Sequence, residues 1–509
     1  MTTSQASWAS RFGLILAMAG NAVGLGNLLR FPVQAARNGG GAFMIPYFVC
    51  LLLMGIPLMW LEWSLGRLGG KNGTRHTVGA FAAAWKHWLS PYLGLLGLWI
   101  PIGVVSYYVY IASWTFGYAG FSLAGSFPTD ATRTTMSQFF DNYLWGDHRW
   151  YAYGILVLVV FINWFITRRA LSSGIETLAK IGMPVLFAFG FLLSLRVAFL
   201  GDPASFGGKA PVSDGFGFIW NPDFSQLTNP SIWLAAAGQI FFTLSIGMGT
   251  LHCYAAYLTK KDDVALSGIS TVSLNEIAEV IIGGSLAIPL AFAFFGGPET
   301  VEIAKAGAFD LGFMSLPLAF NQLPFGHLLG GMWFTLLFIA ALTSSVAMSE
   351  PAICYLMEVF AIARERAATV VWGFIFLGAQ VAVFGPGAID EIDFWIGTVG
   401  LVVFGLFESL VWAYGFGIDR AYAELCEGSL IRVPPVIKVI WKYICPAFLI
   451  ALLGYWMVTQ APGVLMMNGV KETEIAGRWA ARALMVGGFV VMTLSVRRSR
   501  YARPEEVAL

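Results

Sequence analysis

Ala17-Met18-Ala19-Gly20-Asn21-Ala22-Val23-Gly24-Leu25-Gly26-Asn27 sits inside the first long apolar run of this chain, where a membrane-spanning helix is expected. Each of its glycines weakens a helix by roughly 1 kcal/mol relative to alanine, so the helix is expected to falter here. A faltering helix bares backbone N–H and C=O groups at membrane depth, which is tolerated only where they are buried in protein or line a cavity. The stretch therefore predicts a cavity at mid-membrane, and its neighbours in the chain indicate what fills it.

The surroundings are those of an integral membrane protein. The 509 residues are 57% hydrophobic and only 12% charged, against about 25% charged in a soluble domain. A net charge of +1 lacks the basic footprint of a nucleic-acid partner. The residues before Arg11 show neither a basic n-region nor a cleavage site, so no cleaved signal peptide is expected. Cys50, Cys253, Cys354, Cys426 and Cys445 fall in spans or on the cytoplasmic side, which argues against a disulfide framework. The histidines are scattered without metal-ligand spacing.

A helical span needs about 20 mostly apolar residues. Twelve stretches qualify, at approximately 12–37, 42–67, 89–124, 151–167, 177–200, 231–257, 266–296, 328–358, 368–385, 394–417, 437–460 and 477–496. The runs are continuous rather than alternating, which excludes a barrel. Lys and Arg concentrate on the side that holds both termini, among them Arg67, Lys71, Arg75, Arg168, Arg169, Lys260, Arg364, Arg497 and Arg498. Both termini are therefore expected in the cytoplasm, and the plasma (inner) membrane of a bacterium is the expected location. Two outer segments look structured. Residues 201–230 are rich in Gly, Pro and Asp, and 297–325 hold an amphipathic piece from Glu299 to Phe309, a break at Gly312 and a second short helix.

A second break lies in span 6, where Gly247-Met248-Gly249-Thr250 echoes Gly24-Leu25-Gly26-Asn27. Both open a block of five spans. Because five is odd, the second block enters the membrane from the opposite side. Glycine-interrupted helices at matching positions of two inverted halves point to a transporter's binding site. No nucleotide loop, metalloprotease motif or nucleophile elbow is present, and Gly24-Leu25-Gly26 lacks the third glycine of a dinucleotide fingerprint because Leu29 stands there. An enzyme has no positive support.

The run Asn21 to Pro32, followed by Asn38 to Phe43, resembles the signature of the neurotransmitter:sodium symporter family. The likeness continues through Trp99–Tyr110, Gln239–Gly249, Leu274–Gly284, Leu342–Ser345 and Asp393–Gly400. It implies an all-α, LeuT-type fold: one domain over 1–509, with inverted repeats at about 11–200 and 231–417, discontinuous helices 1 and 6, and two added helices at about 437–496. It implies sodium-coupled symport by alternating access, with a non-transporting amino-acid sensor of the same fold as the alternative. Its partners would be a small neutral amino acid, sodium and the lipid bilayer, with a homodimer left open.

The resemblance also assigns residues. One sodium would be held by the Ala22 carbonyl, Asn27, Thr243, Asn275 and the substrate carboxylate. A second would be held by the carbonyls of Gly20, Val23 and Ala340 and the hydroxyls of Thr343 and Ser344. Hard cations take oxygen ligands, which agrees with these residue types. The amides of Leu25 and Gly26 and the Tyr108 hydroxyl would bind the substrate carboxylate, at positive half-helix ends. Its ammonium would meet the carbonyls of Ala22, Phe242 and Thr243 and the Ser245 hydroxyl. The side-chain pocket would be Val104, Tyr108, Phe242, Met248, Ser344 and Met348. Bacterial leucine transporters of the family carry Phe and Ile where Met248 and Met348 stand. Flexible methionines imply a range reaching Met, Phe and Trp as well as Leu. Relatives that carry biogenic amines place an Asp at the position of Gly24, so Gly24 favours a free carboxylate.

The same likeness makes Arg30 and Asp393 an outer charged pair and Tyr108 and Phe242 a lid. On the inner side it places Trp8 and Glu358, with Gln5 where the family has an Arg. A Gln5–Glu358 hydrogen bond, assisted by Arg11 or Tyr257, is the expected latch. Glu279, one helical turn after Asn275, would supply the charge that chloride supplies in other relatives, near Tyr47, Gln239 and Thr243. Glu62 and Glu276 are expected to satisfy unwound backbone.

Overall fold

The structure, a computed structural model, describes residues 8–128 and 132–502. Its regular elements among the described residues are all helices, and ten of these are long and apolar enough to cross a membrane. An eleventh span is bent: Arg11–Ala22 and Gly26–Arg37 meet at 50° across the break. The expected sixth span is split into Pro230–Thr243 and Thr250–Ala255, each too short to cross alone. The twelve expected spans are thus all present.

Capping side chains start several of them. Ser10 Oγ accepts from the Gly13 amide at 3.0 Å to begin span 1, and Asp263 Oδ1 accepts from Leu266 at 2.8 Å to begin span 7 (Val264–Phe295). The buried carboxylate of Glu176, from span 5 (Ile175–Ala198), accepts from the Ala9 amide at 2.8 Å and so satisfies another free donor at the head of span 1.

The centre is set by burial. In the most apolar windows of span 7, span 3 (Ser90–Leu123) and span 8 (Gly326–Val359), 83%, 78% and 78% of residues are buried. In span 12 (Glu472–Arg498) only 17% are. Span 12 is therefore peripheral, with an apolar surface suited to lipid, while spans 3, 7 and 8 enclose the two broken helices.

The breaks face one another. Asn21 Nδ2 donates to Thr250 Oγ1 at 2.9 Å, and Ser245 Oγ donates to the Asn21 carbonyl at 3.0 Å. In the second break Ser245, Gly247 and Gly249 have φ of 53°, 78° and 68°, in the left-handed region. The Gly247 amide, left without a helical acceptor, donates to Glu62 Oε1 at 2.6 Å, as expected for Glu62. A Cβ on Gly249 would lie 2.2 Å from the Gly97 carbonyl oxygen. Gly249→Ala therefore faces both a strained φ and a backbone clash. It is expected to lower the thermal midpoint of the detergent-solubilised protein by several degrees, the scale of roughly 1–2 kcal/mol; an unchanged midpoint in fluorescence-detected melting would contradict this.

Two expectations need correction here. The outer amphipathic helix runs Gly297–Ala306 and breaks at Gly307, whose φ is 130°. Gly312 instead lies inside a continuous helical stretch from Asp310 to Asn321. A side chain there would strike Leu29 of span 1, 2.6 Å from the position of its Cβ. Gly312 thus permits helix contact rather than ending a helix.

Candidate functional site

Asn27, Glu279 and Asp393 sit on locally widened helical turns, Gly26–Arg30, Ile277–Gly284 and Asp393–Gly400. Such turns free backbone and re-aim side chains, and they concentrate at functional sites.

At the first break, Asn27 is fully buried and joins spans 1, 6 and 7. Its Oδ1 accepts from the Gly24 amide at 2.8 Å. Its Nδ2 donates to Thr243 Oγ1 and Asn275 Oδ1, both at 2.8 Å, and to Glu279 Oε2 at 3.0 Å. Glu279 is also fully buried. It accepts from Gln239 Nε2 at 2.7 Å, from Asn275 Nδ2 at 3.4 Å and from the Thr243 hydroxyl. Of the groups expected to hold one sodium, the Thr243 and Asn275 oxygens lie together with the Glu279 carboxylate, whereas Asn27 presents its Nδ2 to them and turns its Oδ1 to the Gly24 amide. Glu276 differs from expectation: it accepts from the Tyr47 hydroxyl at 2.8 Å and from Asn275 Nδ2 at 3.3 Å. It sits on side-chain donors, and no unwound amide reaches it among the described contacts.

At the second expected sodium position, Ser344 Oγ lies 3.3 and 3.4 Å from the carbonyl oxygens of Gly20 and Val23. Thr343 Oγ1 turns back onto its own helix, to the carbonyls of Ile339 and Ala340 at 3.0 and 3.1 Å. Thr343 also packs against span 1, with its Cβ 3.2 Å from where a Gly20 Cβ would stand. Ser344 Oγ thus meets two of the expected carbonyls, while Thr343 Oγ1 meets the Ala340 carbonyl on its own helix.

Between these positions lies a narrow cavity of about 20 Å³ lined by Asn21, Ala22, Gly24, Gly26, Asn27, Val104, Tyr108, Phe242, Ser245, Met248, Ser344 and Met348. That volume holds about one water, so a larger occupant must spread Phe242, Met248 and Met348. The lining carries no acid and no base. The Leu25 amide donates to the Tyr108 hydroxyl at 3.0 Å, so the two groups expected to bind a carboxylate are neighbours. A Cβ on Gly24 would meet Tyr108 Oη at 2.9 Å and Ser344 Oγ at 3.0 Å, and one on Gly26 would meet the Phe242 ring at 2.5 Å. Asn21 was not foreseen as part of this site. Its carbonyl and amide hold the two breaks together, and its place within the glycine-rich stretch was the available signal.

Toward the side away from the termini, a cavity of about 370 Å³ is lined by Arg30, Asp393, Tyr107, Tyr108, Phe242 and the turn Ala306–Phe309. Arg30 and Asp393 share this cavity without an ion pair. Arg30 stacks over the Phe242 ring at 4.3 Å, and Asp393 accepts from the Tyr107 hydroxyl at 2.5 Å. The guanidinium is held by a ring face and the carboxylate by a phenol, so each has a partner other than the one expected.

On the side of the termini, Trp8 Nε1 donates to the Tyr254 carbonyl at 3.2 Å and its ring packs edge-on against Tyr254 and Tyr257. Gln5 lies outside the described residues. Glu358 is taken by other partners: Arg500 at 2.6 Å, the Tyr501 hydroxyl, and His76 at 3.4 Å. Arg11 is bound to Ser267 at 3.3 Å and Asp263 at 3.7 Å, so it does not assist Glu358. Tyr257 stacks under Arg75 at 4.6 Å. Those partners come from distant segments, including the last described residues, which no local pattern announces.

The chain matches the model of the Sodium:neurotransmitter symporter family over residues 5–138 and 144–469. It is 31% identical over 484 residues to a sodium-dependent transporter of Methanocaldococcus jannaschii, covering 92% of this chain and 93% of that one. It is 24% identical over 512 residues to the sodium- and chloride-dependent GABA transporter 2 of Rattus norvegicus, covering 91% and 81%. Among solved structures it is similar to MhsT in complex with L-phenylalanine, with a TM-score of 0.75, 29% identity and coverage of 88% and 99%.

Proposed function

This chain belongs to the sodium:neurotransmitter symporter family, and from that premise we propose that it carries neutral, hydrophobic L-amino acids inward with sodium. Two sodium ions bind at the sites described, chloride is not required, and both termini face the cytoplasm of a prokaryotic cell.

The observation that carries this reading is the lining of the cavity between the breaks. It is bordered by the Tyr108 hydroxyl with its neighbouring Leu25 amide, by Ser245 with the Asn21 carbonyl, and by aromatic and thioether side chains. A zwitterion with an uncharged side chain matches that set. Gly24 supports the same reading, since a carboxylate side chain there would crowd Tyr108 and Ser344 and compete for the amides. The likeness to MhsT with L-phenylalanine supports an aromatic substrate, and Met248 and Met348 supply the adaptable wall.

Substrate carboxylate and sodium meet at Ala22, Asn27 and Thr243, so each raises the other's affinity by the same factor. An inward-moving charge gains about 2.3 kcal/mol per 100 mV of membrane potential. Closure toward the outer side would bring Phe242 and Tyr108 over the substrate and Arg30 toward Asp393. Closure toward the inner side rests on Trp8 against Tyr254 and Tyr257.

Uptake of labelled leucine into proteoliposomes, with sodium, lithium or choline outside, tests the reading. Sodium alone should support accumulation, and unlabelled Phe, Trp and Met should compete strongly. Uptake in choline, or competition confined to Gly and Ala, would overturn it.

A further inference from the structure

Cys253 and Cys354 lie 101 residues apart in sequence, yet their sulfurs are 3.5 Å apart. Cys253 is on Thr250–Ala255, the second half of broken span 6, and is fully buried. Cys354 is on the unbroken span 8 and is 5% exposed. It lines a cavity of about 670 Å³ on the side of the termini. The same cavity is lined by Lys71, Arg75 and Lys260, with Glu358 as its acid. Neither thiol has a demand that fixes it in place: Cys354 Sγ has Glu350 Oε1 at 3.5 Å and the Tyr257 hydroxyl at 3.7 Å, both weak contacts for sulfur. Glu350 itself is satisfied by two hydrogen bonds of 2.6 Å from Arg364.

We propose that Cys253 and Cys354 are a redox-modification site: a low-molecular-weight anionic disulfide enters through this cavity and leaves them joined, pinning the second half of span 6 to span 8. A disulfide needs its sulfurs at about 2.05 Å, so each must advance by less than 1 Å. The sequence of steps is an exchange. The Cys354 thiol gives up its proton and attacks one sulfur of the small disulfide, RSSR. A mixed disulfide forms and one RS⁻ departs, taking a proton to become RSH. The Cys253 thiol then gives up its proton and attacks the Cys354 sulfur, and the second RS⁻ leaves as RSH. Two protein thiols are oxidised to one disulfide while RSSR is reduced to two RSH, and the two protons are conserved. The order follows from exposure, since Cys354 faces the cavity and Cys253 lies behind it. Lys71 and Lys260 are paired with Glu424 and Glu427, so Arg75, with no carboxylate at ion-pair distance among the described residues, supplies the charge that an anionic disulfide would meet.

The consequence rests on the alternating-access reading above. For the inner side to open, Thr250–Ala255 must part from span 8, and a covalent link forbids that. Transport then stops until a thiol reductant breaks the link.

The test uses the full-length protein in proteoliposomes, with the face carrying the cavity accessible, and glutathione disulfide as the probe. After treatment, free thiols are blocked with N-ethylmaleimide and the peptides mapped by mass spectrometry. A linked peptide pair holding Cys253 and Cys354 is expected. Cys253→Ala should instead retain a stable glutathione adduct on Cys354, and Cys354→Ala should gain neither link nor adduct. Sodium-driven uptake by the parent protein should fall to the level without a sodium gradient and return with dithiothreitol, while Cys354→Ala ignores the oxidant. Absence of the linked pair at saturating probe overturns the site. A linked pair with uptake undiminished overturns the locking. Should the reduced protein show no sodium-driven uptake, the transport reading fails, and the peptide map still decides the site by itself.

Discussion

Asn27→Ala is expected to abolish sodium-driven uptake. Asn27 bridges the Gly24 amide on one side and Thr243, Asn275 and Glu279 on the other. Alanine would remove an expected sodium ligand and strand several buried groups at once, each worth about 1–3 kcal/mol when left unpartnered. A loss of about 3 kcal/mol in sodium binding is roughly a hundredfold in affinity. Because substrate and sodium binding are reciprocal, leucine binding should weaken at the same sodium concentration. Asn27→Asp, which keeps an oxygen and the shape, should retain part of the sodium response. The measurement is the sodium dependence of labelled-leucine binding to purified protein, with a melting curve to confirm that each variant is folded. A folded Asn27→Ala protein with the parent's sodium dependence would refute the first site.

Glu279→Ser is expected to turn a chloride-indifferent transporter into one that needs chloride. A fully buried carboxylate must be balanced by a counter-charge or neutralised. Here the donors Gln239, Asn27, Asn275 and Thr243 surround it, and the expected sodium lies beside it. Serine removes the charge and frees volume among donors that still point inward, which is the setting for a small anion. Uptake by the variant should collapse when chloride is replaced by gluconate and recover when chloride is restored, while the parent responds to neither change. A parent protein that loses uptake in gluconate would contradict the role given to Glu279.

The residues of both experiments were legible before any fold was known, for a specific reason. An amide in a membrane core is costly unless paired, so Asn27 and Asn275 stand out in apolar runs. The glycines of 20–26 and 247–249 mark where a helix cannot continue. Tyr108, Phe242, Met248 and Met348 are less conspicuous, because an aromatic or methionine stripe also describes plain packing. Only the resemblance singled them out, and the structure places them around one cavity.

The gates were less legible. Arg30 and Asp393 carry opposite charge and come to the same cavity, yet Phe242 and Tyr107 are their contacts. Glu358 finds His76, Arg500 and Tyr501, and Arg11 finds Asp263. A charge in sequence announces that a partner is needed and says nothing about which of several distant ones is nearest.

Sequence by itself determined the span count, the two breaks and the hard-oxygen character of the centre, because these follow from hydropathy, glycine's helix penalty and the chemistry of amides and hydroxyls. Tertiary structure alone decided that Asn21 ties one break to the other, that Glu279 enters the Asn27 network directly, and that Cys253 meets Cys354. The physical reason is common to all three: each is a contact of a few ångströms between helices far apart in the chain, fixed by how rigid cylinders pack and not by any local preference of the residues involved.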